Sequence, residues 1–277
     1  GIVSYSKEIH YFPGFYFLAC SVYLFVIIRT DVNNTYNTEN KKLGTKLKIA
    51  QLNVLYENTS YDSIINVVNK LNPGIVSLQE VNGRHTHSFI NNLAEKYKYH
   101  IIENSSTDFN LFLFSQYPFI NQEIAYFQGN NRNIPYFICS VKIESQVVTI
   151  ICLHTSAPLN DLELSLRNQQ LVSIAGLASK SATPLIIVGD LNAVPWSPEI
   201  VNLKKTANVR DSRNNFSVTF PANSLLAMFP IDYILHSADI LCKEFKVFDI
   251  YGSDHLGVHG EYYLNKSIEY QTRNDGI

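Results

Sequence analysis

No segment of the 277 residues repeats at a fixed period, and neither sign of charge prevails, the formal net charge being −2. The first absence excludes repeat architectures. The second leaves no global pull toward polyanions, so nucleic-acid binding would need a local basic patch. Cysteine is also scarce, and four are too few for a disulfide scaffold at this length. Cys139 and Cys152 lie in adjacent strand-like runs and Cys242 begins another. Buried free thiols are the expectation, with a cross-strand Cys139–Cys152 bridge as the alternative in an oxidising space. A composition 46% hydrophobic suits one large globular domain with an appendage.

The appendage is N-terminal. Residues 12–28 (FPGFYFLACSVYLFVII) carry no charge and end at Arg29. Their length approaches the roughly 20 residues of a membrane span, and no small-x-small cleavage pattern follows Ile28. Residues 1–30 are therefore expected to be a membrane anchor, with a signal peptide or buried helix as the alternatives. Membrane association follows, with the side open, since Lys7 on one flank faces Arg29, Lys41 and Lys42 on the other. Residues 31–46, rich in Asn and Thr, read as a linker, residues 47–264 as the globular domain, and residues 265–277 as a polar tail.

Within the domain, alternation predicts a strand at 47–53, a buried apolar run predicts one at 185–188, and β-like composition predicts further strands at 75–79, 99–103, 111–115, 122–128, 136–143, 147–153, 217–220, 231–236, 245–250 and 255–263. Helical spacing predicts helices at 60–71, 88–97, 162–178 and 198–204, the first stopped by Asn72-Pro73-Gly74. In the third, Leu162, Leu164, Leu166, Leu171, Ile174 and Leu177 are expected largely on one side. βα units mixed with antiparallel hairpins argue for an α/β fold with two sheets face to face and helices outside.

Polar residues end many of these strands: Asn53, Glu80, His154, Asp190 with Asn192, Asp232, and Asp254 with His255. Carboxylates and histidines at strand ends are costly to bury and easy to aim at a common edge. Oxygen donors without a thiolate–histidine cluster favour Mg²⁺ or Mn²⁺ over Zn²⁺. A phosphodiester needs such a cation, a group that activates water and donors for the phosphoryl oxygens. Each residue also has a plainer reading. Asp190 and Asn192 could form an Asx turn, Glu80 a solvated strand end, and His154 a core histidine. Asp232 resists such a reading, because an acid in an apolar strand needs a buried partner.

The ordered series Gln51-Leu52-Asn53, Leu78-Gln79-Glu80-Val81, Leu153-His154-Thr155, Gly189-Asp190-Leu191-Asn192, Ile231-Asp232-Tyr233-Ile234 and Gly252-Ser253-Asp254-His255 resembles the endonuclease/exonuclease/phosphatase superfamily, the deoxyribonuclease-I-like fold. The continuation Asp190-Leu191-Asn192-Ala193-Val194-Pro195-Trp196-Ser197 is similar to a bacterial, often membrane-anchored branch. The resemblance implies a four-layered α/β sandwich with its site at one end of two central mixed sheets. It implies a divalent-metal-dependent hydrolase of phosphate esters, with nucleic acid or a phospholipid head group as substrate and a monomeric catalytic domain. A lipid phosphodiesterase or phosphatase, or a non-catalytic binding protein on this fold, are the alternatives. By the same resemblance Glu80, Asn53 and Asp254 hold the metal, Asp190 and Asn192 handle the attacking water, Asp232 orients His255 at the phosphate, and His154 donates to a phosphoryl oxygen. Either Asp190 or His255 could be the general base. Arg132, Arg167 and Trp196 are weaker candidates for substrate contact. Asn110 and Gln116 stand where the family has Gly and a basic residue; the latter removes a positive charge expected near the substrate edge.

Overall fold

The computed structural model describes residues 44–104, 109–129, 132–222 and 229–264. The expected anchor, most of the linker and the tail lie outside them. Among the described residues no helix is long and apolar enough to cross a membrane.

Among the described residues twelve strands and four α-helices follow one another. In chain order they are β1 (Thr45–Asn53), α1 (Tyr61–Leu71), β2 (Ile75–Gln79), α2 (Thr86–Leu93), β3 (Tyr99–Glu103), β4 (Leu111–Ser115), β5 (Phe119–Gly129), β6 (Arg132–Ile143) and β7 (Gln146–His154). Then come α3 (Asp161–Ala178), β8 (Leu185–Asp190), α4 (Pro198–Thr206), β9 (Val209–Asp211), β10 (Asp232–Ser237), β11 (Ile240–Asp249) and β12 (Leu256–Leu264). One mixed sheet has the order β11-β12-β1-β2-β4-β3 and the other β5-β6-β7-β8-β10-β9. Helices α1 and α2 cover the first, and α3 and α4 the second. The four layers are those expected.

Period-two alternation explains both the core and the site. Along β1, Leu47 and Ile49 point between the sheets, whereas Ala50 and Leu52 point toward α1. Ile186 and Val188 of β8 likewise face the inter-sheet core, and Leu185 and Ile187 face α3 and α4. Continuing each inward series by two residues reaches Gln51 and Asn53 on β1, Ser77 and Gln79 on β2, His154 on β7 and Asp190 on β8, all buried. On β10 the series runs the other way, from Asp232 to Ile234. One end of the inter-sheet layer is thus hydrocarbon and the other polar. No strand changes face to achieve this.

Local signals set several boundaries. Asn72 caps α1 in the left-handed conformation at φ 48°, with its N–H on the Val68 carbonyl. The Asn160 side chain accepts from the first turn of α3, and Ser197 with Pro198 opens α4. The strand expected at 217–220 is absent. Phe220 forms only an isolated bridge to Phe229, while the unforeseen β9 pairs with β10.

Helix α3 departs most from its expected face. Leu162 and Leu164 are exposed, and Glu163, Arg167 and Gln170 are buried. The cause is its position beside the site loops. Gln170 Oε1 accepts from the Ser156 N–H at 2.9 Å and Arg167 Nη1 donates to the Asn192 carbonyl at 2.8 Å, so the polar residues turn inward. Among the described residues the three cysteines, Cys139, Cys152 and Cys242, are free. Cys139 pairs with Ile150 and Phe137 with Cys152, which sets the two thiols diagonally rather than opposite each other.

Gly189 is required by close approach. A Cβ there, at φ 150°, would lie 1.7 Å from the Leu153 carbonyl oxygen on β7. Gly189→Ala must part β7 from β8 just before Asp190, with an expected stability loss of roughly 3 kcal/mol by denaturant titration. An unchanged midpoint would show that the strand pair yields freely.

Candidate functional site

Five strands deliver the site without needing long loops. Asn53 and Gln79 are partners on parallel β1 and β2, and His154, Asp190 and Asp232 form one row across β7, β8 and β10. Glu80 follows β2 at φ 57°, its N–H held by the Asn110 carbonyl at 3.0 Å. His255 precedes β12, and its N–H donates to Ser253 Oγ at 3.0 Å. Ser253 in turn donates to the Asn53 carbonyl at 2.8 Å, tying the C-terminal loop to β1.

The polar groups converge on Asp190, which is 1% exposed. Its Oδ2 accepts from Asn53 Nδ2 at 3.1 Å and lies 3.7 Å from both His154 Nε2 and His255 Nε2. Oδ1 accepts from the Asn192 N–H at 2.9 Å. Asn53 Nδ2 also donates to Glu80 Oε1 at 2.7 Å, and His154 Nε2 stands 3.7 Å from that oxygen. Asn192 Nδ2 donates to the Thr155 carbonyl at 2.8 Å and sits 3.3 Å from His154 Nε2. Behind this set His255 Nδ1 meets Asp232 Oδ2 at 2.9 Å, and Asp232 Oδ1 accepts from Gln51 Nε2 at 2.7 Å.

Burial and neighbouring charge push these groups apart. Burial, with Asp232 alongside, raises the Asp190 carboxyl to about 6 despite the two histidines. Burial also opposes ionisation of Asp232, but His255 and donors from Thr219 and Gln51 outweigh it and hold that carboxyl low. Burial pulls the His255 imidazole down, and Asp232, with Asp190 and Asp254 near, more than reverses this and lifts it to about 10. Burial raises Glu80, with Asp254 adding to the rise and Asn53 opposing it. At neutral pH His255 is thus a cation paired with Asp232, and Asp190 is mostly ionised.

The cavity over these groups, about 380 Å³, is lined by Glu80, His154, Asp190, Asn192, Asp254 and His255, with Tyr56, Phe109, Phe220 and Leu159 at its walls. Glu80 and Asp254 repel each other across a space that also holds Asp190. Such an oxygen-donor set is suited to a hard divalent cation. The buried trio Asp190, Asp232 and His255 could also hold a metal ion, since each offers a ligand atom within 4.8 Å of the others. There, however, His255 and Gln51 already engage both oxygens of Asp232, whereas Glu80 and Asp254 line open space.

A model of the Endonuclease/Exonuclease/phosphatase family matches residues 50–255, from β1 to His255. The chain belongs to that family. No curated protein sequence matches it significantly. TDP2 from D. rerio, solved with a single-strand DNA product, is 17% identical at a TM-score of 0.67, with 78% of this chain and 98% of that one covered. The endonuclease/exonuclease/phosphatase from Bacteroides vulgatus is 15% identical at a TM-score of 0.67, covering 80% of this chain and 100% of that one. Beta toxin from Staphylococcus aureus is 19% identical at a TM-score of 0.60, covering 77% and 99%. These likenesses show the family fold.

Against the endonuclease/exonuclease/phosphatase motifs, the structure brings Asn53, Glu80, His154, Asp190, Asn192, Asp232, Asp254 and His255 into one cluster. The weaker candidates stand elsewhere. Arg167 holds the Asn192 carbonyl and Asn168 Oδ1 from beneath the loop, so its guanidinium is committed to the protein rather than to a phosphate. Trp196 stacks on Phe216 with ring centroids 6.0 Å apart and is not among the cavity's lining residues. Arg132 opens β6, and its side chain lies outside the described residues. Gln116 corrects an expectation. It follows the end of β4 remote from the site and donates to Asn72 Oδ1 and the Pro73 carbonyl, so its neutrality does not bear on the substrate edge. Sequence reasoning assigned no role to Gln51. An amide in the inward series Leu47-Ile49-Gln51-Asn53 was the available signal.

The Asp232–His255 pair carries a pH-dependent share of stability. His255 is raised above its unfolded value near 6.5, so its contribution is complete below pH 6.5 and is lost as pH rises through about 10. With chelator present, His255→Asn should melt well below wild type at pH 6, by roughly 3 kcal/mol for a broken buried pair, and the gap should narrow by pH 10.5. A gap constant from pH 6 to 10.5 would refute the assignment.

Proposed function

We propose that the chain is a divalent-metal-dependent hydrolase of phosphate esters, most simply a phosphodiesterase. The observation that carries this reading is the buried Asp190 carboxylate, 3.7 Å from two histidines, with Glu80 and Asp254 beside it in one cavity. Glu80 and Asp254 would hold Mg²⁺ or Mn²⁺, which when bound would neutralise phosphoryl and leaving-group oxygens, while Asn53 steadies Glu80 through its amide N–H at 2.7 Å, its own oxygen accepting from the Leu55 N–H at 3.2 Å.

The chain's own groups supply the rest. Asp190, its carboxyl raised to about 6, accepts a proton from the attacking water near neutral pH. Asn192, fixed by the Thr155 carbonyl and by Arg167, orients that water or a phosphoryl oxygen. His255 is protonated by its pairing with Asp232, so it acts as donor to the scissile phosphate rather than as base. His154 donates to a non-bridging oxygen from the opposite side of Asp190. Phosphoryl transfer asks chiefly for positioning and charge stabilisation, and each of these groups is held by a second contact.

A DNA product bound to D. rerio TDP2 supports a nucleic-acid ester as substrate. A lipid phosphodiester has its own support: Leu159, 86% exposed, stands at the cavity wall, and residues 12–28 supply an apolar run suited to an anchor. On this reading the protein is membrane-associated through that run.

With Mg²⁺ or Mn²⁺ the protein should release product from an aryl phosphodiester, and Asp190→Ala should lower kcat by roughly 1,000-fold. Equal rates for wild type, Asp190→Ala and Glu80→Ala would sink the reading. A panel of plasmid DNA, abasic duplex, RNA, sphingomyelin and phosphoinositides, with Glu80→Ala as blank, identifies the substrate. Independently of turnover, saturating Mn²⁺ should raise the melting temperature of wild type but not of Glu80→Ala, because a ligand of the native state stabilises it. Identical shifts in both proteins would place the cation elsewhere.

A further inference from the structure

Two glutamines occupy the middle of the inter-sheet layer, where hydrocarbon would pack as well. Gln51 and Gln79 are both fully buried, as is Ser77. Gln51 Nε2 donates to Asp232 Oδ1 at 2.7 Å and to Gln79 Oε1 at 2.8 Å. Gln79 Nε2 donates onward to Ser77 Oγ, which lies 2.9 Å from Cys152 Sγ. The Gln51 amide has only one sensible orientation. Reversed, its oxygen would face the oxygens of Asp232 and Gln79, which accept and cannot both donate back. As placed, both amide hydrogens are used and Gln51 Oε1 is buried without a hydrogen-bond partner. A buried acceptor left unpaired costs stability, so the residue is poorly explained by folding alone.

We infer that Gln51, braced by Gln79, is a positioning residue that fixes the plane of the Asp232 carboxylate and so aims His255. One Asp232 oxygen is held by Gln51, which turns the other toward His255 Nδ1 at 2.9 Å and leaves His255 Nε2 directed at the Asp190 side of the site. Gln79 matters because it takes the second hydrogen of the same amide and prevents rotation about the end of the side chain. The pairing unites β1 and β2 of one sheet with β10 of the other, so the alignment of the two sheets becomes the alignment of the Asp232–His255 pair. The inference rests on the hydrolase reading for its catalytic consequence, but its structural content does not.

The experiment compares wild type with Gln51→Leu, a change that keeps the volume and removes the donor. Two readouts are taken on the full-length protein: aryl phosphodiester hydrolysis with Mn²⁺, and the downfield imidazole N–H resonance of His255, assigned by its loss in His255→Asn. Gln51→Leu should lower kcat by roughly 10-fold, the scale on which outer partners of site histidines act, with KM within about twofold of wild type. The His255 resonance should shift or broaden while the other histidine signals stay in place. An unchanged kcat together with an unchanged resonance overturns the inference. A wild type inert toward phosphodiesters, whose His255 resonance still responds to Gln51→Leu, removes the hydrolase reading and leaves the positioning role standing. If Gln51→Leu does not fold, Gln79→Met takes its place. It leaves the bond to Asp232 and removes the brace, so a smaller fall in kcat and a broadened resonance support the inference, and no change in either overturns it.

Discussion

Asp190 and Asp232 are direct partners on neighbouring strands, both aimed into the same buried layer. Two carboxylates cannot share such a place as equals, because each raises the cost of ionising the other. The fold separates them. Donors from His255, Gln51 and Thr219 converge on Asp232 and hold it ionised, whereas Asp190 is left with weaker, longer contacts and a raised carboxyl. That asymmetry makes one acid a fixed counter-charge and leaves the other available to exchange a proton.

Much of the surrounding structure serves this division. Strand β1 contributes Gln51 to Asp232 and Asn53 to Asp190 and Glu80, so the same two-residue step supports both acids. The loop before β12 reaches β1 through Ser253, which fixes where His255 enters. From the other side, Arg167 of α3 and the Tyr233 hydroxyl of β10 hold the Asn192 and Ala193 carbonyls, at 2.8 Å and 2.6 Å. Helix α3 carries polar residues inward to do this and leaves leucines in solvent. Its amphipathic pattern is given up where the site needs anchoring.

The strands were legible because the central ones, buried on both faces, are short continuous apolar runs bounded by turn residues, and β1 alternates. β2, β3 and β4 have the boundaries that the pattern predicts, and Asn72 ends α1 as its sequence indicates. Failures fall where tertiary contacts decide. The run at 217–220 has a strand's composition, yet only Phe220 finds a bridge partner. Leu162 and Leu164 have a core helix's spacing, but Arg167 and Gln170 have partners in the site loops and take the inward positions. Gln116 resembles a substrate-edge residue by motif and lies at the wrong end of its strand.

By itself the sequence determined the two-sheet layered architecture and singled out eight polar residues that the fold brings together, because periodicity and strand-end polarity are local properties of the chain. It could not determine which acid is the more readily protonated, which side chains support the site from behind, or that Arg167 binds the Asn192 carbonyl and Trp196 stacks on Phe216. Those depend on distances between strands far apart in sequence and on the low dielectric between them, where a donor at 2.7 Å and a neighbour at 3.7 Å have unlike consequences. Such distances exist only once the two sheets are packed.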